Sequence, residues 1–176
     1  MVTKDSIQAG AGELIKEVGG LILESAKDIE GRLSSVPGLT ADSYATTIAH
    51  AAYHSIKHVL GGSYPHLYPF VDKGRNMLLY MYEYEGEETG LILTIKRLSP
   101  NGMPAQSRTR QAEAYLSQRY SPPKGSIPGL IPDNLVLALI GPVIGPDGRQ
   151  ADYVRFSILQ SRNSVGLTFA VDLPGD

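Results

Sequence analysis

Met77 to Leu98 reads MLLYMYEYEGEETGLILTIKRL: two apolar runs on either side of an acidic corner bracketed by glycine. Strand side chains repeat every second residue, so Leu78, Tyr80, Tyr82 and Tyr84 share one face of the first run. Met77, Leu79 and Met81 take the other, which turns acidic at Glu83 and Glu85. In the return run Leu91, Leu93 and Ile95 alternate with Ile92 and Thr94. β-Branched and aromatic residues dominate both halves, as a partly buried pleated surface favours. The stretch predicts a β-hairpin with its corner near Gly86 to Gly90.

Around it the chain has 176 residues, enough for a sizeable core in one α+β domain spanning 1–176. That domain divides into a helical part, 5–61, and a sheet-containing part, 67–173. The apolar share of 42% and charged share of 19% are those of a folded protein rather than a disordered one. A formal net charge of −2 gives no global pull toward nucleic acid or membrane, so any such binding rests on a local patch. The chain has no cysteine, which removes disulfides, thiolate metal sites and a cysteine nucleophile. The start, MVTKDSIQAGAGEL, lacks the pattern of a signal peptide, and no stretch has the length of a bilayer span. A soluble cytoplasmic protein is the expectation.

Ser6 to Leu33 reads as a long amphipathic helix. Ala11, Ile15, Val18, Ile22, Ala26, Ile29 and Leu33 recur at spacings of four, three and four. The glycines at 10, 12, 19, 20 and 31 oppose it, each interior one costing about 1 kcal/mol against Ala. The Gly19-Gly20 pair marks a kink, a frayed point or a close crossing. The stripe suits packing on the chain's own sheet, ahead of self-association or a membrane surface. After a Pro/Gly connection at 34–39, a second helix runs from about Thr40 to Leu60. Its stripe is Ala45, Ile48, Ala52, Ile56 and Val59. His50, His54 and His58 line up on nearly the opposite side, without the acidic residue of a metal-binding HExxH helix. No metal and no cofactor are expected.

The YPHLYPF run before the hairpin is extended, because residues preceding proline avoid the helical region. Gln106 to Tyr120 is predicted as a third helix with Ala112, Tyr115 and Leu116 inward, and 121–133 as a proline-stiffened loop. The ending is all strand, over 134–142, 152–160 and 165–172, with a turn at Gly145-Pro146-Asp147-Gly148. Together these give two N-terminal helices, a hairpin, a third helix and a three-stranded meander. The expected sheet is mostly antiparallel, with about five strands and helices on one face. The unbroken apolar run Leu135 to Ile140 demands burial on both faces, either centrally or against a second molecule.

The one charge bias lies between Lys96 and Lys124. There Lys96, Arg97, Arg108, Arg110, Arg119 and Lys124 face a single acid, Glu113. Gln111 and Gln118 add donors, and arginine forks beside such donors are what phosphate contacts use. A helix over 105–120 carrying Arg108, Arg110, Gln111 and Arg119, with Lys96 and Arg97 behind it, is the candidate anion or nucleic-acid surface. The plain alternative is a solvated face whose arginines pair with Glu83, Glu85, Glu87 and Glu88. No GxSxG, P-loop or GxGxxG strand-turn-helix is present. Asp72, Glu88 and Lys96 resemble a metal nuclease hairpin only loosely, since Thr94 stands where that pattern needs an acid. The sequence therefore favours a non-catalytic binding module that self-associates, most simply as a homodimer, with another protein or a nucleic acid as further partners. Its rival is a small metal-independent endoribonuclease using His58 or His66 with Arg97, Arg108 or Arg110.

Overall fold

The N-terminal helix α1, Lys4–Leu33, is continuous through all five of its glycines. Thr3 and Ser6 cap it reciprocally: Ser6 N–H donates to Thr3 Oγ1 (3.1 Å) and Thr3 N–H to Ser6 Oγ (2.9 Å). Two of the glycines are close approaches rather than breaks. A Cβ on Gly10 would enter the Tyr82 ring, and one on Gly19 would lie 2.9 Å from Val171 Cγ1. The helix thus lies directly on the sheet. Its stripe Ala11, Ile15, Val18, Ile22 and Ala26 is fully buried and Ile29 half-buried. The computed structural model describes residues 2–33, 36–38, 40–104, 110–148 and 150–173, without the Leu33 side chain.

Helix α2, Ala41–Val59, begins at Thr40, whose side chain accepts from Ser43 N–H. It buries Tyr44, Ala45, Ile48, Ala52, Tyr53 and Ile56 beside α1. Val59, expected in that stripe, is instead exposed.

Six strands follow in one sheet, ordered as in the sequence: β1 (Leu67–Asp72), β2 (Arg75–Tyr84), β3 (Glu87–Ile95), β4 (Leu135–Ile144), β5 (Ala151–Ser161) and β6 (Ser164–Ala170). All neighbours are antiparallel except β3 and β4, which run parallel from Gly90↔Leu135 to Ile95↔Ile140. The β2–β3 hairpin turns on Glu85-Gly86, with Tyr84 opposite Glu87, tighter than the corner anticipated. Both residues have positive φ (51° and 79°), the geometry of a two-residue type I′ loop. The sixth strand, β1, joins β2 through the similar Lys73-Gly74 turn.

The central position of β4 satisfies its two-sided apolar run, since Val136–Val143 is buried throughout. One face of the sheet carries α1 and α2. The other is covered as well, by the short helix α3 (Arg110–Leu116) and the irregular segments after β3 and after α3. Phe70, Leu79, Ile92, Leu137 and Leu159 meet Tyr115, Leu116 and Ile127 there. Tyr115 also donates its hydroxyl across the β3–β4 seam, to the carbonyls of Ile92 (2.9 Å) and Ala138 (2.6 Å). Helices on one face alone is therefore corrected to a three-layer arrangement.

The third helix ends at Leu116, before the residue 120 anticipated. Residues 105–109 lie outside those described, and after Leu116 the chain leaves the helix with Gln118 left-handed (φ 60°). Gln118 N–H donates to Tyr115 O (3.1 Å) and Arg119 N–H to Ala114 O (2.7 Å), a Schellman stop built on glutamine instead of glycine. The Gln118 carboxamide then donates to the carbonyls of Leu137 (2.7 Å) and Leu159 (3.1 Å) and accepts from Leu137 N–H (2.9 Å). It sits where the β4–β5 ladder, which begins at Leu139↔Ser157, has opened. These three bonds hold an otherwise unfavourable backbone conformation. No described helix is long and apolar enough to cross a membrane.

Candidate functional site

Where α2 crosses the paired ends of β2 and β3, the structure leaves a cleft of about 340 Å³. Helix α2 supplies Thr46, Ala49, His50 and Tyr53. The Lys73-Gly74 turn delivers Arg75 and Asn76 to the opposite wall, and β3 ends there with Ile95 and Lys96. The floor is apolar, formed by Leu78 and Leu93, each at most 1% exposed. Tyr53 closes one side; its hydroxyl reaches Phe70 O at 3.4 Å, and burial raises its pKa.

Lys96 is the electrostatic centre of this cleft. Burial lowers its pKa, and the nearby Arg75 guanidinium lowers it further, while the Asp42 carboxylate acts the other way. Asp42, in the first turn of α2, is engaged by Arg97 at 3.0 Å. Lys96 and Arg75 thus both line one partly desolvated wall, and the Asp42 carboxylate that acts on Lys96 is itself engaged by Arg97.

The basic segment anticipated as one surface is divided between the two sides of the sheet. Lys96 and Arg97 reach the α2 side. Arg110, Gln111 and Arg119 belong to the α3 side, and Arg108 lies outside the described residues. Arg110 is exposed at the start of α3. The Gln111 side chain is committed to Asp72, donating to Oδ2 (3.1 Å) and to its carbonyl (3.3 Å). Asp72 Oδ2 also accepts from the Tyr120 hydroxyl (2.6 Å), and burial with this contact raises the Tyr120 pKa. Arg119 stands 4.0 Å from Glu113, both well exposed, and lines a separate open cavity with Lys124 and Asp133.

Of the three aligned histidines only His50 lines the cleft; its ring meets that of His54 edge-on at 4.7 Å. His54, His58 and His66 are exposed outside it. Among the described residues no group of three or more His, Asp or Glu is placed to hold a metal. Asp72, Glu88 and Lys96 do not gather: Glu88 is the second residue of β3, Lys96 follows its end, and Asp72 bonds to Gln111 of α3. Arg75, Asn76 and Thr46 carried no signal in the sequence, since a turn and a helix crossing bring them together. No family model, curated protein or solved structure matches the chain.

Proposed function

We propose that this chain is a non-catalytic binding module for anionic ligands, and that its site is the α2–β2–β3 cleft. The observation that carries this reading is the Lys96–Arg75 pair. Both side chains line the same cleft, and burial with the Arg75 charge lowers the Lys96 pKa, so an anion bound there would favour the charged ammonium. The test is a gel with labelled RNA and DNA, with and without divalent metal, alongside calorimetry with inorganic phosphate. Retention or heat that Lys96→Met removes supports the reading; no response to any anion ends it.

A second reading, a metal-independent endoribonuclease, has one support: His50 stands on the same cleft as the two cations, a proton-transfer group beside charge stabilisers. Cleavage lost in His50→Ala would favour it over simple binding. The nucleic-acid surface on 105–120 is the weaker form of the proposal, because Gln111 and Gln118 are already used inside the fold. Self-association also has less behind it than the sequence suggested, since α1 and β4 bury their apolar surfaces within this chain. A homodimer is proposed only through the sheet edges β1 and β6, with light scattering as its test. The cytoplasmic setting likewise stands as a proposal from composition.

A further inference from the structure

Beyond anion binding, we infer that the cleft captures a small apolar aldehyde covalently, as a reversible imine on the Lys96 amine. Three observations lead there. The first is the setting of the amine. Lys96 is half-buried on the cleft wall, and among the described residues its side chain makes no hydrogen bond or ion pair. Asp42, the carboxylate that acts on it, is bonded to Arg97 instead. Burial is the main cause that lowers the Lys96 pKa. Arg75, which has interactions of its own, acts second and in the same direction. A desolvated lysine keeps more of its amine neutral, and the neutral amine is the nucleophile that forms imines.

The second observation is what lies before the amine. Leu78 and Leu93 form the floor, with Ile95 and Ala49 beside them. An aryl or short alkyl group laid on that surface gains roughly 25 cal/mol per Å² of apolar area removed from water. At about 340 Å³ the cleft lies at the lower end of the small-molecule range, roughly 300–1,000 Å³, which suits a compact ligand.

The third is the support. Lys96 N–H donates to Ile140 O (3.0 Å), and the Lys96 carbonyl lies against Gly141. The amine is therefore carried on backbone already fixed to the central strand, which helps orient it toward a reactant. By contrast Lys4, Lys27, Lys57, Lys73 and Lys124 are exposed, and Lys16 stands on α1.

The step balances without a further reactant. The ammonium gives one proton to water, the nitrogen lone pair attacks the carbonyl carbon, and the carbonyl π pair passes to oxygen. The two remaining nitrogen protons leave with that oxygen as water, and the C=N bond that results is undone by water in turn. His50, on the same cleft, is placed on the right surface to relay such protons. An ester or amide would instead acylate the lysine and block it, so an aldehyde is the carbonyl class that a reusable site can hold.

Trapping on the full chain tests this. The protein is incubated with benzaldehyde and cyanoborohydride in an amine-free, phosphate-free buffer at neutral pH, and the reduced adducts are mapped by peptide mass spectrometry. Lys96 is expected to be benzylated at least tenfold faster than Lys57 or Lys73, and that preference to vanish in urea. With glyceraldehyde, a polar aldehyde of small size, the ratio of Lys96 to Lys57 is expected to fall at least fivefold. Labelling of Lys96 no faster than of the exposed lysines, or a preference that survives unfolding, overturns the site. A ratio as high with glyceraldehyde as with benzaldehyde overturns the apolar ligand class. Neither result bears on anion binding, which calorimetry with inorganic phosphate reads separately.

Discussion

The Lys96 carbonyl oxygen sits where the first side-chain atom of any residue but glycine at position 141 would fall. Past Ile95 the β3–β4 pairing continues irregularly, with Lys96 N–H on Ile140 O (3.0 Å) and Leu98 N–H on Pro142 O (3.2 Å). Gly141 lets the backbone ride over β4, and the same path presents the Lys96 side chain to the cleft. Backbone on both sides leaves nothing to yield. Gly141→Ala is expected to cost about 1–3 kcal/mol or more, read from the urea midpoint. It should also weaken anion binding, because Lys96 must move.

Lys96 also gives the fold a pH signature. Its folded pKa is lowered, so between that value and the unfolded one, about 10.4, the unfolded chain binds more protons. Stability from this group therefore rises with pH through that window, while below it the full penalty of the buried ammonium remains. Lys96→Met should accordingly be more stable than wild type at neutral pH, with the gap closing as pH approaches 10. Comparing the two proteins at each pH cancels the tyrosines, which titrate in the same range. A gap that is absent at neutral pH, or that widens with pH, would refute this account.

Asp42 acts electrostatically on Lys96 and is the partner of Arg97. Asp42→Asn is expected to tighten anion binding by up to about fivefold, the scale of one charge at about 4 Å in a watery setting. The exposed pair it breaks contributes at most about 1 kcal/mol to stability. Calorimetry at two salt concentrations checks both the gain and its screening.

Gln118→Ala should destabilise the fold by about 1–2 kcal/mol: it removes three bonds to β4 and β5 and keeps the left-handed backbone that those bonds hold. Gln118→Glu should be worse, since a carboxylate cannot donate to two carbonyls. Hydrogen exchange at Leu137 N–H reports the loss directly.

Alternation and period were enough to read α1, α2, β2, β3, β5 and β6, and the unbroken apolar run Leu135 to Ile140 was enough to read β4. The strand β1 shows in the sequence only as extended chain, because Pro65 and Pro69 obscure any strand pattern in its run. A sheet edge tolerates Pro69, since it has no ladder bond to give on its outer side. Cover on the second face escaped for another reason. Ile127, Tyr120 and Met103 reach that core from irregular chain, where no period marks an inward side. The site was half legible. Lys96 and Arg97 stood out by charge, but Arg75 and His50 join Lys96 only through a turn and a helix crossing. Gln111 and Gln118, read as ligand donors, have side chains spent on Asp72 and on the open β4–β5 ladder.

The parallel seam between β3 and β4 also governs how the chain finds its shape. Each flanking meander, β1–β3 and β4–β6, joins strands through short turns and can assemble locally. The seam alone among the strand pairings must first close the long segment 96–134, an entropic cost that grows with the logarithm of its length. Folding is therefore expected to be limited where Leu93 meets Ala138, not in the tight turns on either side. Weakening those turns should mainly hasten unfolding, while trimming the seam should slow the forward reaction.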